Sequence, residues 1–159
     1  MPEQPEQDKR GPNVKFPPPL VFIAAILLGY FMDASSPLVQ TNSYFLILLG
    51  YTGVIICIGV LTYGLYSFFK ARTHIEPWQP ASHLITTGLY RYSRNPLYLA
   101  FFVFTICLGL VLSNYWIVLW AFPALYFIKI NVVQKEEAYL ERKFMDKYIT
   151  YKRQVRRWL

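Results

Sequence analysis

The sequence predicts an all-α integral membrane protein: four transmembrane helices, a cytoplasmic loop and a C-terminal amphipathic helix. Three observations carry that reading. The chain is 55% hydrophobic and only 16% charged, too apolar a balance for a soluble surface. Its apolar residues gather into four blocks, Pro17–Met32, Tyr44–Phe69, Leu97–Leu112 and Tyr115–Val133. The 16 Lys and Arg residues all fall in the tail before the first block, the segment after the second, and the region from Lys129 onward.

Residues 1–16, "MPEQPEQDKRGPNVKF", are polar and proline-rich and read as a flexible cytoplasmic tail. They lack the charged start and immediate apolar core of a signal peptide. A helix needs about 20 apolar residues to cross the hydrocarbon core, within a range near 17–25. The second and fourth blocks meet this comfortably and the third narrowly. The first meets it only by running on into "DASSPLV". Residues 17–70 are expected to form a transmembrane hairpin, a scaffold with little reactive chemistry. Gly29, Gly50, Gly53, Gly59 and Gly64 would let its helices approach closely.

Residues 71–159 are the predicted catalytic core. It opens with the loop "ARTHIEPWQPASHLITTGLYRYSRNP", too polar to span and too rich in breakers to be one helix. Loops of this length are often functional. The short connector Ser113–Asn114 makes the third and fourth spans an antiparallel pair. Beyond them, "QKEEAYLERKFMDKYITYKRQVRRWL" sets Leu140, Phe144, Tyr148 and Tyr151 in one apolar stripe on a charged helix. That helix lies at the inner membrane surface or folds back onto the loop.

Charge fixes the expected orientation. The connectors near Asp33–Ser43 and Ser113–Asn114 carry no Lys or Arg, so the positive-inside rule puts both termini in the cytoplasm. Tyr44, Tyr115 and Trp116 then mark outer helix ends. The net charge of +7 belongs to the inner face, where it attracts anionic lipid headgroups. No nucleic-acid-binding module is visible, so no nucleic-acid partner is expected. Cys57 and Cys107 lie inside apolar blocks as small hydrophobes, not as a disulfide or metal framework, and no metal site is expected. Oligomeric state leaves no mark in the sequence.

The stretch "RNPLYLA" concentrates the candidate chemistry. Asn95 suits an N-cap and Pro96 the first helical position, while Arg91 and Arg94 can snorkel to headgroups. A helix starting at Asn95 aims free N–H groups at the interface, a ready place for an anion or polar ligand. The antiparallel pair sets that start beside the end of the fourth span, which carries Glu136 and Glu137. Charged residues at membrane depth are functional candidates by default.

Taken together, "SHLITTGLYRYSRNPLYLA", a hydrophobic hairpin and "EEAYLERKFMDKYITYKRQVRRWL" resemble the isoprenylcysteine carboxyl methyltransferase family and the related phospholipid methyltransferases. The shared pattern runs over residues 82–158: Leu-Val/Ile-Thr-x-Gly-x-Tyr, Arg-His/Asn-Pro-x-Tyr, then a Glu pair and Phe-Gly-x-x-Tyr-x-x-Tyr. The resemblance implies a multi-pass enzyme, here of a prokaryotic inner membrane, that binds S-adenosylmethionine beside its last helices and methylates a lipophilic small molecule or lipid. The acceptor group is a carboxylate, a thiol or an amine headgroup. Consistent with this, the chain has no Gly-x-Gly-x-x-Gly fingerprint of a soluble nucleotide-binding domain.

Carried over by position, the resemblance implies cofactor contacts at Ser82, His83, Leu84, Ile85, Tyr90, Asn95, Pro96, Leu97, Tyr98 and Glu136, with Arg94 and Glu137 completing the candidate set. The catalytic candidates are His83, a base inside the cofactor motif, and Lys129. Three positions depart from the family pattern. Asn95 stands for the usual histidine and Met145 for a glycine. Val132 stands where prenylcysteine-methylating members keep an arginine, with Lys129 one turn earlier as a stand-in. The alternatives are a sterol-reductase-like enzyme using NADPH and a non-catalytic membrane subunit.

Overall fold

The computed structural model describes residues 11–38 and 43–159, and among these every regular element is helical. Helix α1 spans Pro19–Ser35, α2 Tyr44–Lys70, α3 Pro96–Val111 and α4 Tyr115–Ile128, with a short 3-10 turn at Gly88–Arg91 before α3. A π-helical stretch, Lys129–Val133, joins α4 to α5, Gln134–Phe144, and α6 spans Asp146–Gln154. Expectations for residues 1–10 and for residues 39–42 of the first connector lie outside the described residues.

Among the described residues, two helices are long and apolar enough to cross a membrane: α2, with 27 residues, and the unbroken run Tyr115–Phe144, with 30. Helices α1 and α3 are apolar but have only 17 and 16 residues, a rise of about 25 Å each against a hydrocarbon core of about 30 Å. Both ends of α3 are fixed. Pro96 opens it, and Ser113, with φ at 52°, turns the chain back. Buried Asn114 then caps α4 by accepting from the Ile117 amide at 3.1 Å. The tight turn is therefore present, and α3 and α4 are antiparallel neighbours.

Helix α1 packs mainly on α4, and α2 mainly on α3. They flank the α3–α4 pair, so residues 17–70 do not stand as a hairpin of their own. Small residues decide which faces meet. An added Cβ at Gly29 would sit 2.6 Å from the Ile117 amide nitrogen, and one at Gly50 would sit 2.8 Å from the Cys107 carbonyl oxygen. Gly59 differs, because nothing lies within 4 Å of its Cβ position. Replacing Gly29 with Ala should therefore cost about 1–3 kcal/mol through overpacking against backbone. Gly59→Ala should leave the melting temperature unchanged or slightly raised. A thermal melt of the two variants side by side checks this.

The segment before α1 is a correction to the flexible-tail expectation. Val14 is buried among Phe22, Ile128 and Val132, and Phe16 packs at a tilt against Phe127 with ring centroids 5.7 Å apart. Gly11 lies so close to the Trp78 carbonyl that no side chain would fit there. The prolines around them had dominated the composition. Two apolar side chains are nevertheless enough to fix residues 11–18 against the end of α4.

The expected single helix after the fourth span is broken in two. Met145, at φ 44° and ψ −124°, separates α5 from α6, a conformation that costs a non-glycine residue free energy. The apolar stripe survives the break: Tyr148, Tyr151 and Val155 pack with Leu140, Phe144, Leu84 and Tyr90. The helices thus fold back onto the long loop. Met145→Gly is expected to stabilise the protein by roughly 1 kcal/mol, read as a higher melting temperature. A lower one would show that the exposed Met145 side chain contributes more than its backbone strain costs.

Candidate functional site

At the charged end of the bundle lies a cavity of about 520 Å³, inside the ~300–1,000 Å³ range usual for small-molecule sites. Leu65 and Phe68 of α2 with Leu97 and Phe101 of α3 form its apolar side. The long loop covers it. Thr73 Oγ1 accepts from the Ser82 amide at 2.9 Å, closing the excursion that carries Trp78. The Tyr139 hydroxyl accepts from the Ala81 amide at 3.1 Å, tying the same loop to α5.

The polar side is where α3 begins and α5 begins. Tyr98, in the first turn of α3, donates to Glu136 Oε1 at 2.8 Å, and both line the cavity with Asn95. The predicted meeting of the start of α3 with the glutamates that follow α4 is therefore real. The α3–α4 turn brings these ends together, and the π-helical stretch sets the phase with which Glu136 leaves the helix. Such stretches recur at functional sites because they re-aim side chains.

The two glutamates divide their work. Glu137 accepts from Arg157 through both oxygens, Nε at 3.0 Å and the terminal nitrogen at 2.7 Å, and forms an ion pair with Arg94 at 3.3 Å. It is 6% exposed, so this is a buried ion cluster with a net positive charge. The bidentate bond that Arg157 donates to Glu137 raises its pKa above the ordinary value. Burial, then the nearby Glu137 carboxylate, pushes Tyr148 up to about 12 although Arg94 opposes the shift. Burial, then Glu136, likewise raises Tyr90 well above the ordinary phenol range. Both phenols stay protonated donors at any physiological pH.

Of the residues singled out by sequence, His83, Leu84, Ile85, Tyr90, Arg94, Asn95, Leu97, Tyr98, Glu136 and Glu137 share the cavity wall. Ser82 does not: it is exposed and contributes only its amide to Thr73. Pro96 is buried at the head of α3, off the wall. Lys129 is not brought to the cavity either, since it opens the π-helical stretch with its side chain away from the wall. Asn95 is no side-chain cap for α3, because its Nδ2 donates to the Arg157 carbonyl at 3.0 Å instead. Sequence reasoning missed Thr73, whose hydroxyl accepts from the Ser82 amide, and Arg157, whose carbonyl and guanidinium both make contacts that no motif marks. It also missed the wall formed by Pro12 and Pro17–Pro19.

The chain is an all-helical bundle with a ligand-sized cavity at one end, closed by a loop and a folded-back helix. The eukaryotic intramembrane Ras methyltransferase ICMT (isoprenylcysteine carboxyl methyltransferase), solved without a monobody, shares this fold with a TM-score of 0.64 at 19% identity. The likeness covers 86% of this chain and 49% of that one, so the chain spans about half the length of that enzyme. In sequence, residues 45–147 match the phospholipid methyltransferase family model, and the chain belongs to that family of membrane methyltransferases. No curated protein matches it.

Proposed function

We propose that the chain is an S-adenosylmethionine-dependent methyltransferase acting within the membrane, which methylates a lipophilic acceptor at the cytoplasmic face. One observation carries this reading: the Tyr98–Glu136 pair set into an otherwise largely apolar cavity of ligand size. When bound, S-adenosylmethionine supplies an electrophilic methyl group on a sulfonium centre. The residues present fit such a ligand. Tyr98 engages one oxygen of Glu136, and an ionised carboxylate has acceptor capacity to spare for a ribose hydroxyl or an ammonium. Tyr90 and Tyr98 would wall the adenosine, and the non-helical backbone at Leu84 and Ile85 would meet the adenine edge.

Substitution at a methyl group asks the protein mainly for alignment in a dry site. Leu65, Phe68 and Phe101 would exclude water and receive the apolar part of the acceptor. His83, on the cavity wall, would take a proton where the acceptor is a thiol or an amine. A carboxylate acceptor fits less well. Val132 is fully buried in the core beneath α1, and Lys129, the stand-in for the arginine that the resemblance would put there, is off the cavity wall.

The arrangement of charge supports the same reading. The helix ends flanking the connectors without Lys or Arg share one end of the bundle and the described Lys and Arg residues lie toward the other, so α1 and α3 would complete four spans with both termini cytoplasmic. A shortfall of a few Å in α1 and α3 is met by local bilayer thinning at modest cost. Residues 71–159 would then form the catalytic core and 17–70 its flanking support. The test is a membrane extract incubated with purified enzyme and isotopically labelled methyl donor. Mass spectrometry should find label in one lipophilic product. Label that never leaves the donor pool, with the protein folded and the extract varied, would remove the reading.

A further inference from the structure

Arg157 lies outside the family-matched range of residues 45–147 and off the cavity wall, yet three consecutive residues at the head of α3 depend on its segment. Ser93 Oγ donates to the Arg157 carbonyl at 3.3 Å, and Asn95 Nδ2 donates to the same oxygen at 3.0 Å. The Arg94 amide donates to the Arg156 carbonyl at 3.0 Å. These bonds are backbone-made and survive a change of side chain. The guanidinium does something separate: it occupies both oxygens of Glu137.

Arg94 is left short by that arrangement. Its side chain is 9% exposed, and it reaches Glu137 only at 3.3 Å and the Tyr148 hydroxyl only at 3.5 Å. Its Nε is buried with no partner. An orphaned buried donor is uncommon, and each one needs an explanation. Were Arg157 absent, Arg94 would be free to take the Glu137 fork and settle there. The cluster carries two guanidinium groups for one carboxylate, so it keeps a positive charge at the wall of a ligand-sized cavity. An anionic oxygen of a ligand would complete it.

We propose that Arg157 is a positioning residue: by filling the Glu137 fork it holds Arg94 at the cavity wall, unmatched, for an anionic oxygen of the bound ligand. This deepens the methyltransferase reading and rests on it for the choice of nucleoside probes. The oxygen belongs either to the amino-acid part of the methyl donor or to an acidic headgroup of the acceptor. Three probes separate these sources. S-adenosylhomocysteine carries the carboxylate, 5′-methylthioadenosine lacks the whole amino-acid part, and dodecyl phosphate carries an anionic headgroup alone.

Binding of each probe to the wild-type protein, Arg157→Ala and Arg157→Lys is measured well below their melting temperatures. Arg157→Ala should weaken S-adenosylhomocysteine at least ~10-fold, the tail of a lost charged hydrogen bond, and move 5′-methylthioadenosine less than ~2-fold. Arg157→Lys keeps the charge without the fork and should fall between; it also serves where the alanine variant fails to fold. Loss confined to dodecyl phosphate also supports the role and assigns the oxygen to the acceptor. Unchanged affinity for all three probes overturns it, and so does an equal loss of all three, which marks a merely structural residue. A wild-type protein that ignores both nucleosides sinks the methyltransferase reading instead, and the phosphate arm still decides Arg157.

Discussion

Glu136→Ala is expected to weaken S-adenosylhomocysteine binding by roughly 10- to 100-fold while leaving the fold intact. The carboxylate is the one acidic group at the cavity wall tied to a phenol and not to an arginine. A hydrogen bond to a charged group is worth about 1.5–3 kcal/mol, which sets the size of the loss. Stability should not fall with it. Holding a carboxylate in a mostly apolar cavity costs free energy, and removing it leaves only the Tyr98 hydroxyl to find water. Isothermal titration of the variant, paired with a thermal melt, reads both quantities. Glu136→Gln should lie between, since the amide oxygen still accepts from Tyr98. Unchanged affinity with an intact melt would remove Glu136 from the site.

Glu137→Ala should do the reverse. This side chain is the shared anion of Arg94 and Arg157, and Arg94 is itself nearly buried. Removing one partner of a buried ion cluster leaves uncompensated charge and typically costs about 3–5 kcal/mol. For a chain of this size the melting temperature should drop on the order of 10 °C. The segment after α6 should loosen first, because Arg157 loses its anchor. A melt within a degree or two of wild type would mean that the cluster is solvated and its short distances count for little. The contrast between two adjacent glutamates is the sharper test: one change lowers affinity, the other lowers stability.

Much of this was legible in the sequence, for reasons tied to particular residues. The two-residue turn at Ser113–Asn114 leaves the third and fourth helices no option but to run antiparallel, so Asn95 and Glu136 had to meet. The loop residues Leu84 and Tyr90 and the stripe Tyr148–Tyr151 were visible as apolar positions in charged surroundings, and they pack together.

What was not legible depends on phase and backbone. Neighbouring helical residues point roughly 100° apart, so Glu136 and Glu137 cannot share a role. Which of them meets Tyr98 and which meets the arginines depends on the π-helical stretch at Lys129–Val133, whose occurrence no residue pattern announces. The same stretch decides that Lys129 leaves the cavity while Val132 enters the core. Arg157 was unreadable for a different reason. Its contacts to residues 93–95 run through carbonyl oxygens, which every residue type possesses.

The most direct measurement is a thermal melt of the wild-type protein in lipid nanodiscs, with S-adenosylhomocysteine in one sample and NADPH in another. At a hundredfold excess over its Kd a ligand adds about 2.7 kcal/mol to stability, a rise of roughly 5–10 °C here. A shift with the nucleoside product alone is the expected result. Stabilisation by NADPH alone, or by neither, would contradict the claim that the head of α3 and the end of α4 close around a sulfonium nucleoside.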